Sequence, residues 1–167
     1  MKTAATLMLA ASLLAVGACK KKPPAELPPP PADTSTVPSD TGPAGALPGS
    51  QEDFVANVSS DRIFFETDSS DVDGEDQATL QSQAAWIARY PNVRVTIEGH
   101  ADERGTREYN LALGERRANA TKNALAALGV SPTRINTISY GKERPDALGS
   151  DESAYARNRR AVTVTVQ

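Results

Sequence analysis

Nine of the twelve prolines lie between residues 20 and 52, which confines any compact domain to the sequence that follows. Four of them form the run Pro28-Pro29-Pro30-Pro31, and Ala, Ser, Thr, Asp and Gly fill most of the remaining positions. Proline fixes φ and lacks a backbone N–H, so neither a helix interior nor a central strand runs through such a stretch. Too little apolar surface is present to offset the entropy of ordering the backbone. A proline-dense chain is extended and semi-rigid, rising roughly 3.1 Å per residue, so some thirty residues reach on the order of 100 Å when stretched. Residues 19–52 therefore read as a tether. Residues 53–167 remain for one domain with a modest core.

The 18 residues ahead of the tether are of another kind. Lys2 precedes an apolar run, Ala4 to Val16, which is shorter than the roughly 20 residues a helix needs to cross a bilayer. A charged start, a short apolar run and the small pair Gly17-Ala18 spell a secretory signal peptide over residues 1–18. Cys19 is the only cysteine, which excludes an internal disulfide and a thiolate metal cluster. Val16-Gly17-Ala18-Cys19 resembles a bacterial lipobox. That resemblance implies covalent N-acyl and S-diacylglycerol lipid on Cys19 and no other cofactor; the alternative is a plain signal peptide with an incidental cysteine. Two or more acyl chains anchor a protein stably where one does not. Lys20, Lys21 and Lys22 follow, placed to meet anionic headgroups. Under enterobacteria-like sorting, which the lipobox resemblance implies, a lysine rather than an aspartate after the cysteine points to the outer membrane, with the domain expected to face the periplasm.

In the remaining sequence, hydrophobic periodicity alternates between strand and helix. Ile63-Phe64-Phe65 marks a first strand over 62–66. Asp68 to Gly74 is a turn, with Asp71 or Asp73 as a helix N-cap. Leu80, Ala84, Ile87 and Ala88 recur at helical spacing over 75–90, and Pro91 stops that helix. Val93, Val95 and Ile97 alternate in a second strand ending at Gly99. A second helix spans 107–128, with Leu111, Ala118, Leu125 and Leu128 on one stripe and Gly129 after its end. Ile135 to Tyr140 is a third strand, and 151–158 a short helix capped by Ser150 or Asp151. Val162, Val164 and Val166 alternate with Thr163 and Thr165 in a half-buried last strand. The order βαβαβ-α-β predicts an α/β sandwich of the α+β kind, with two main helices packed on one face of a four-stranded mixed sheet.

Chemistry concentrates in Gly99-His100-Ala101-Asp102-Glu103-Arg104-Gly105, where the second strand gives way to the second helix. Asp102 falls in the loop above the sheet edge, and Gly105 permits a sharp reversal at positive φ. Arg117 lies 15 residues beyond Asp102, so only the fold can bring the two together. An acid and an arginine held near one loop can bind a zwitterion, the carboxylate taking an ammonium and the guanidinium a carboxylate. The free end of a meso-diaminopimelate side chain is such a group. From the charges alone, a structural ion pair or a turn-capping Asp102 is the more economical reading. His100 is the only histidine and has no cysteine partners, which disfavours zinc, and a hydrogen-bonded structural role is expected for it. No Gly-x-Ser-x-Gly elbow supports a hydrolase. Asp68, Asp71, Asp73 and Asp76 do not make a calcium loop, because with Gly74 sixth, Ser69 falls first and Leu80 twelfth. A net charge of −3, with no aromatic-interleaved basic face, argues against nucleic acid.

Residues from about 61 to 167 closely resemble OmpA-like peptidoglycan-binding domains. The resemblance is carried by Ile97-Glu98-Gly99-His100-Ala101-Asp102, Gly105-Thr106, Tyr109-Asn110, Leu113, Arg116-Arg117-Ala118, Leu128-Gly129-Val130, Tyr140-Gly141 and Asn158-Arg159-Arg160-Ala161-Val162. It implies that Asp102 and Arg117 grip diaminopimelate, that Asp68 is a third ligand-facing position, and that Arg104 contacts the stem peptide. The Asn158-Arg159-Arg160 segment is implied to border the pocket, with Asn158 and Arg160 as supporting residues. Thr67 departs from the aromatic or apolar residue common at that place. With the lipobox and tether, the resemblance implies a non-catalytic outer-membrane staple to peptidoglycan, partnered by TolB and other Tol proteins in envelope integrity and cell division. The alternative is a lipid-anchored scaffold acting mainly through other protein partners.

Overall fold

The computed structural model describes residues 46–166; the expected signal peptide, Cys19, Lys20 to Lys22 and most of the tether lie outside the described residues. Helix α1 (Gln51–Asn57) is followed by strand β1 (Arg62–Phe64), helix α2 (Gly74–Arg89), strand β2 (Arg94–His100) and helix α3 (Arg107–Ala127). A 3-10 turn (Pro132–Arg134), strand β3 (Ile135–Gly141), helix α4 (Glu152–Asn158) and strand β4 (Arg160–Val166) complete the order. From β1 onward this is the expected βαβαβ-α-β arrangement. The strands form one mixed sheet in the order β1-β4-β2-β3. β4 is antiparallel to both β1 and β2, whereas β2 and β3 are parallel. A parallel pair needs a crossover, and α3 supplies it while packing on both strands. The α-helices begin where a side-chain oxygen accepts an otherwise orphaned N–H: Ser50 from Asp53, Asp73 from Asp76, Thr106 from Tyr109 and Asp151 from Ala154.

Helix α1 straddles the boundary that composition places at residue 53, so the folded part starts earlier. Its seven residues bury only Phe54, which leaves no periodic stripe to read. Phe54 meets Trp86 edge-on, with centroids 4.9 Å apart and planes at 73°, and Trp86 lies 4.5 Å from Tyr90. The local cue is a capping pattern. Ser50 Oγ accepts from Asp53 N, and the Asp53 carboxylate accepts from Gly49 N.

Helices α2 and α3 bury faces that differ from the periodicity reading, and the structure assigns the inner face of β4, which alternation left open. In β4, Ala161 and Thr163 are buried while Val162 and Val164 are half-buried and Val166 is exposed. The threonine side is the inner one because Thr163 Oγ1 donates to Gln83 Oε1 on α2 at 2.9 Å, and Gln83 Nε2 donates to the Ser60 carbonyl at 2.8 Å. Each buried polar group thereby has a partner. Along α3, Leu111 and Leu128 are exposed, and Asn110, Arg117 and Thr121 join Leu113, Ala118 and Leu125 on the buried face. On α2, Ala88 is exposed and Trp86 and Gln83 take the interior.

The height of α3 over the sheet is set by two glycines. A Cβ at Gly99 would lie 1.8 Å from the Gly114 carbonyl oxygen, and one at Gly114 would lie 2.4 Å from Ser139 Oγ and 2.8 Å from the Gly99 oxygen. Backbone therefore meets backbone where α3 crosses β2, just beyond the loop that carries Asp102. Gly99→Ala forces that contact open and is expected to lower the unfolding free energy by about 3 kcal/mol, the upper range for overpacking. Gly74→Ala, whose Cβ meets nothing within 4 Å, is expected to lose nothing. Urea denaturation measures both, and a Gly99→Ala variant as stable as the parent would refute the close contact.

Candidate ligand-binding site

A groove of about 300 Å³ opens at the C-terminal end of β2, lined by Thr67, Asp68, Asp102, Arg104, Gly105, Tyr109, Asn110 and Leu113. Three parts of the chain build it. The β1–α2 loop gives Thr67 and Asp68, the β2–α3 loop gives Asp102 to Gly105, and the first turns of α3 give the rest. A wider cleft of about 650 Å³ lies between β1, α2 and α4, but it holds neither Asp68 nor Asp102.

Asp68 is the only non-glycine at positive φ among the described residues, at +57°. An L-residue with a side chain adopts this conformation at a cost, and short polar residues tolerate it best. The turn is held by Tyr109, whose hydroxyl donates to Asp68 Oδ1. Thr67 takes part as well, its Oγ1 accepting from Arg104 Nη2 at 3.4 Å.

Asp102 is 7 % exposed. Its Oδ1 accepts from the Arg104 backbone N–H at 3.1 Å and from Arg104 Nε at 3.2 Å, and its Oδ2 accepts from Arg104 Nη2 at 2.6 Å. Burial alone would raise the Asp102 pKa; the hydrogen bonds and charge of Arg104, with Arg159 behind, outweigh it and hold the carboxyl below its usual range. Asn110 fixes the same loop by donating from Nδ2 to the Arg104 carbonyl at 2.7 Å.

Arg117 stands behind the groove wall and not on it. It is fully buried, and Nε, Nη1 and Nη2 donate to the carbonyls of Ser69 (2.8 Å), His100 (2.8 Å) and Glu66 (3.1 Å). Three of its five N–H groups are thus spent on two loops. Its Cζ lies 5.2 Å from the Phe65 ring centre. Desolvation pulls its pKa down to about 10, with Arg159 acting the same way and Asp102 and Asp68 opposing, so it stays charged at neutral pH. The direct partners of Asp102 are Arg104 and Arg159; Arg117 couples to Asp102 and Asp68 only through space.

The segment after α4 divides by residue. Asn158 Oδ1 accepts from Asp146 N and Ala147 N, and Nδ2 donates to the Ala147 carbonyl, which clamps the loop before α4. Arg160 donates from Nη2 to the Arg144 carbonyl at 3.3 Å, away from the groove. The arginine that reaches the site is Arg159. Its Nε donates to the Phe65 carbonyl at 2.9 Å, and its Nη1 lies 2.8 Å from Glu152 and 3.6 Å from Asp102 as an ion pair. Arg159 belongs to the segment that the resemblance implies to border the pocket, although Asn158 and Arg160 are the residues singled out there, and neither Glu152 nor the hydroxyl of Tyr109 is marked as a site group in the sequence. Tyr109 stood within the motif, but Glu152 lies 50 residues from Asp102 with no local pattern to mark it.

His100 differs from the hydrogen-bonded role expected of it. It is 2 % exposed, and neither ring nitrogen makes a well-formed hydrogen bond; the nearest carboxylate, Glu98, lies 3.7 Å from Nε2. Desolvation, aided by the Arg160 charge, pushes its pKa from 6.5 down to about 4. The unfolded chain therefore binds the extra proton first, and stability falls as pH drops through the window from 6.5 to 4. The loss attributable to this residue is up to about 3 kcal/mol. Denaturation of the parent and of His100→Gln at pH 7 and pH 4 should show that additional loss in the parent alone; parallel losses would assign the proton elsewhere. Arg117→Ala strands three carbonyls, and an expected loss of about 3 kcal/mol or more at pH 7 is read in the same assay.

Comparison with known proteins places this geometry. The family model described as OmpA family matches residues 64–159. Peptidoglycan-associated lipoprotein from Agrobacterium fabrum (strain C58 / ATCC 33970) is 61% identical over 123 residues, covering 74% of this chain and 69% of that one. Peptidoglycan-associated lipoprotein from Brucella melitensis biotype 1 is 54% identical over 138 residues, covering 80% and 82%. Among solved structures, the peptidoglycan-associated lipoprotein from Burkholderia pseudomallei superposes with a TM-score of 0.63 at 43% identity, over 68% of this chain and 93% of that one. The C-terminal domain of Helicobacter pylori MotB, at 22% identity and a TM-score of 0.60 over 64% and 84%, shares the fold. The chain belongs to the OmpA family and, within it, to the peptidoglycan-associated lipoproteins.

Proposed function

We propose that this chain is a lipid-anchored, non-catalytic protein of the outer membrane that holds peptidoglycan by the meso-diaminopimelate of its stem peptide. The observation that carries the reading is one small groove with two carboxylates, Asp68 and Asp102, on its wall and the buried cation Arg117 behind it. The acids suit the ammonium of the ligand side chain. Arg117, fully buried behind that wall, contributes a fixed positive charge weakly screened by water, which suits the ligand's carboxylate through its field. The relatives' names say that they associate with peptidoglycan, which supports the same reading. Acyl chains on Cys19 and the proline tether supply the other end of the staple. Work with TolB and the other Tol proteins in envelope integrity and cell division belongs to the same proposal.

A grip made of a few charge-assisted hydrogen bonds at a half-open groove is reversible and salt-sensitive. Co-sedimentation of the mature chain with sacculi tests it. Diaminopimelate-containing sacculi should retain the protein and lysine-containing sacculi should not, because only the former present the extra carboxylate. Asp102→Asn, nearly isosteric, should weaken retention at least about tenfold, the worth of one charged hydrogen bond. Equal retention by both wall types, or by Asp102→Asn and the parent, would sink the assignment.

A further inference from the structure

Both acids of the groove are already occupied in the free protein. Tyr109 donates to Asp68, and Arg104 covers both oxygens of Asp102 through Nε at 3.2 Å and Nη2 at 2.6 Å. Arg159 stands 3.6 Å from the same carboxylate. An arriving ammonium finds its acceptor satisfied by a resident cation. We infer that Arg104 is a built-in stand-in for the ligand's ammonium, displaced from Asp102 onto Glu152 and the Tyr155 ring when the ligand enters. The inference rests on the diaminopimelate reading above.

The alternative seat is in place. Arg104 Nη1 lies 3.8 Å from the Glu152 carboxylate, and its Cζ lies 4.5 Å from the Tyr155 ring centre. A guanidinium over an aromatic face and beside an acid is well held. The side chain is 43 % exposed, so its transfer exposes little new surface. The backbone need not move. Arg104 N stays on Asp102 at 3.1 Å, and Asn110 keeps the Arg104 carbonyl at 2.7 Å. Because the guanidinium already spans the two carboxylates, the exchange is a side-chain rotation. Tyr155 is itself steadied, its hydroxyl donating to Glu103 Oε1 at 2.9 Å.

Such a competitor lowers apparent affinity by the fraction of time Asp102 is covered. It also rejects ligands that bring no cation, since these cannot replace what they displace. Arg104 thereby sets specificity for a zwitterion and keeps the grip reversible.

The test is calorimetric titration of the mature chain with L-alanyl-γ-D-glutamyl-meso-diaminopimelate and with the same peptide acetylated on the side-chain amine. Arg104→Gln should bind the free-amine peptide about threefold to fivefold tighter than the parent, the worth of a half-exposed ion pair, and gain nothing for the acetylated peptide. Weaker binding by Arg104→Gln would overturn the inference and make Arg104 a direct ligand contact. A gain for both peptides would also overturn it, since charge competition would not be the cause. Glu152 also pairs with Arg159 at 2.8 Å, so Glu152→Gln should weaken binding more in the parent than in Arg104→Gln, where only the part carried by Arg159 remains. An equal effect in both backgrounds would remove Glu152 as the second seat. Failure of the parent to bind either peptide would take down the ligand reading, whereas parent binding with the wrong Arg104 response takes down this inference alone.

Discussion

One guanidinium holds the site together. Arg117 donates to carbonyls from the β1–α2 loop, at Glu66 and Ser69, and from the end of β2, at His100. These two loops carry Asp68 and Asp102. Without a common donor, three inward-facing carbonyls would be stranded and the loops would have no reason to stay apposed. Taking a cation wholly out of water is costly, and three hydrogen bonds plus the nearby carboxylates are what make it tolerable. The same arginine therefore shapes the groove and charges it. Its position depends in turn on α3 lying against the sheet, which the Gly99 and Gly114 contact secures. A methyl group at either glycine would lift the helix and the guanidinium with it.

Layered on this scaffold are the exposed partners. Tyr109 and Arg104 each engage one groove acid, and Glu152 and Tyr155 lie within reach of Arg104 from α4. The division of labour follows burial. Fully buried Arg117 is fixed by geometry, whereas half-exposed Arg104 sits among several near-equivalent partners. In physical terms the first is a frame and the second can exchange. Thr67 fits this arrangement, because its hydroxyl meets Arg104 where an aromatic or aliphatic side chain could not accept a hydrogen bond.

Much of this was legible in the sequence because local rules and global fold agree over most of the domain. Alternation and helix spacing located the four strands and the two long helices, and of the paired N-cap candidates Asp73, rather than Asp71, caps α2 and Asp151, rather than Ser150, caps α4. What escaped did so for identifiable reasons. Helix α1 has one buried residue and is held by a distant tryptophan. The inner face of β4 is threonine because Gln83 on α2 offers it a partner, and no window along one strand contains that fact. The stripe of α3 was misjudged at Leu111 and Leu128 because Asn110, Arg117 and Thr121 are buried with their polar groups satisfied. Periodicity counts apolar residues and so overlooks a face that is polar by design of the site.

The same limit applies to the site residues. Asp68, Asp102 and Arg104 line one groove, as the motif led one to expect, but the motif gives no order of contact. It suggested Arg117 beside Asp102 as a pair. In the fold Arg104, two residues on, takes that place, and Arg117 faces backbone. A residue two positions from an aspartate in a tight loop reaches it at little entropic cost, whereas one 15 residues away must be delivered by tertiary packing. Local geometry thus favours an inner arginine that frames and an outer one that competes. A ligand bearing both charges can answer both at once, its cation replacing Arg104 on Asp102 while its anion is drawn to the field of Arg117. On the proposed reading, a ligand with one charge alone would satisfy only half of the arrangement, and selectivity would come from the two arginines acting together with the two acids.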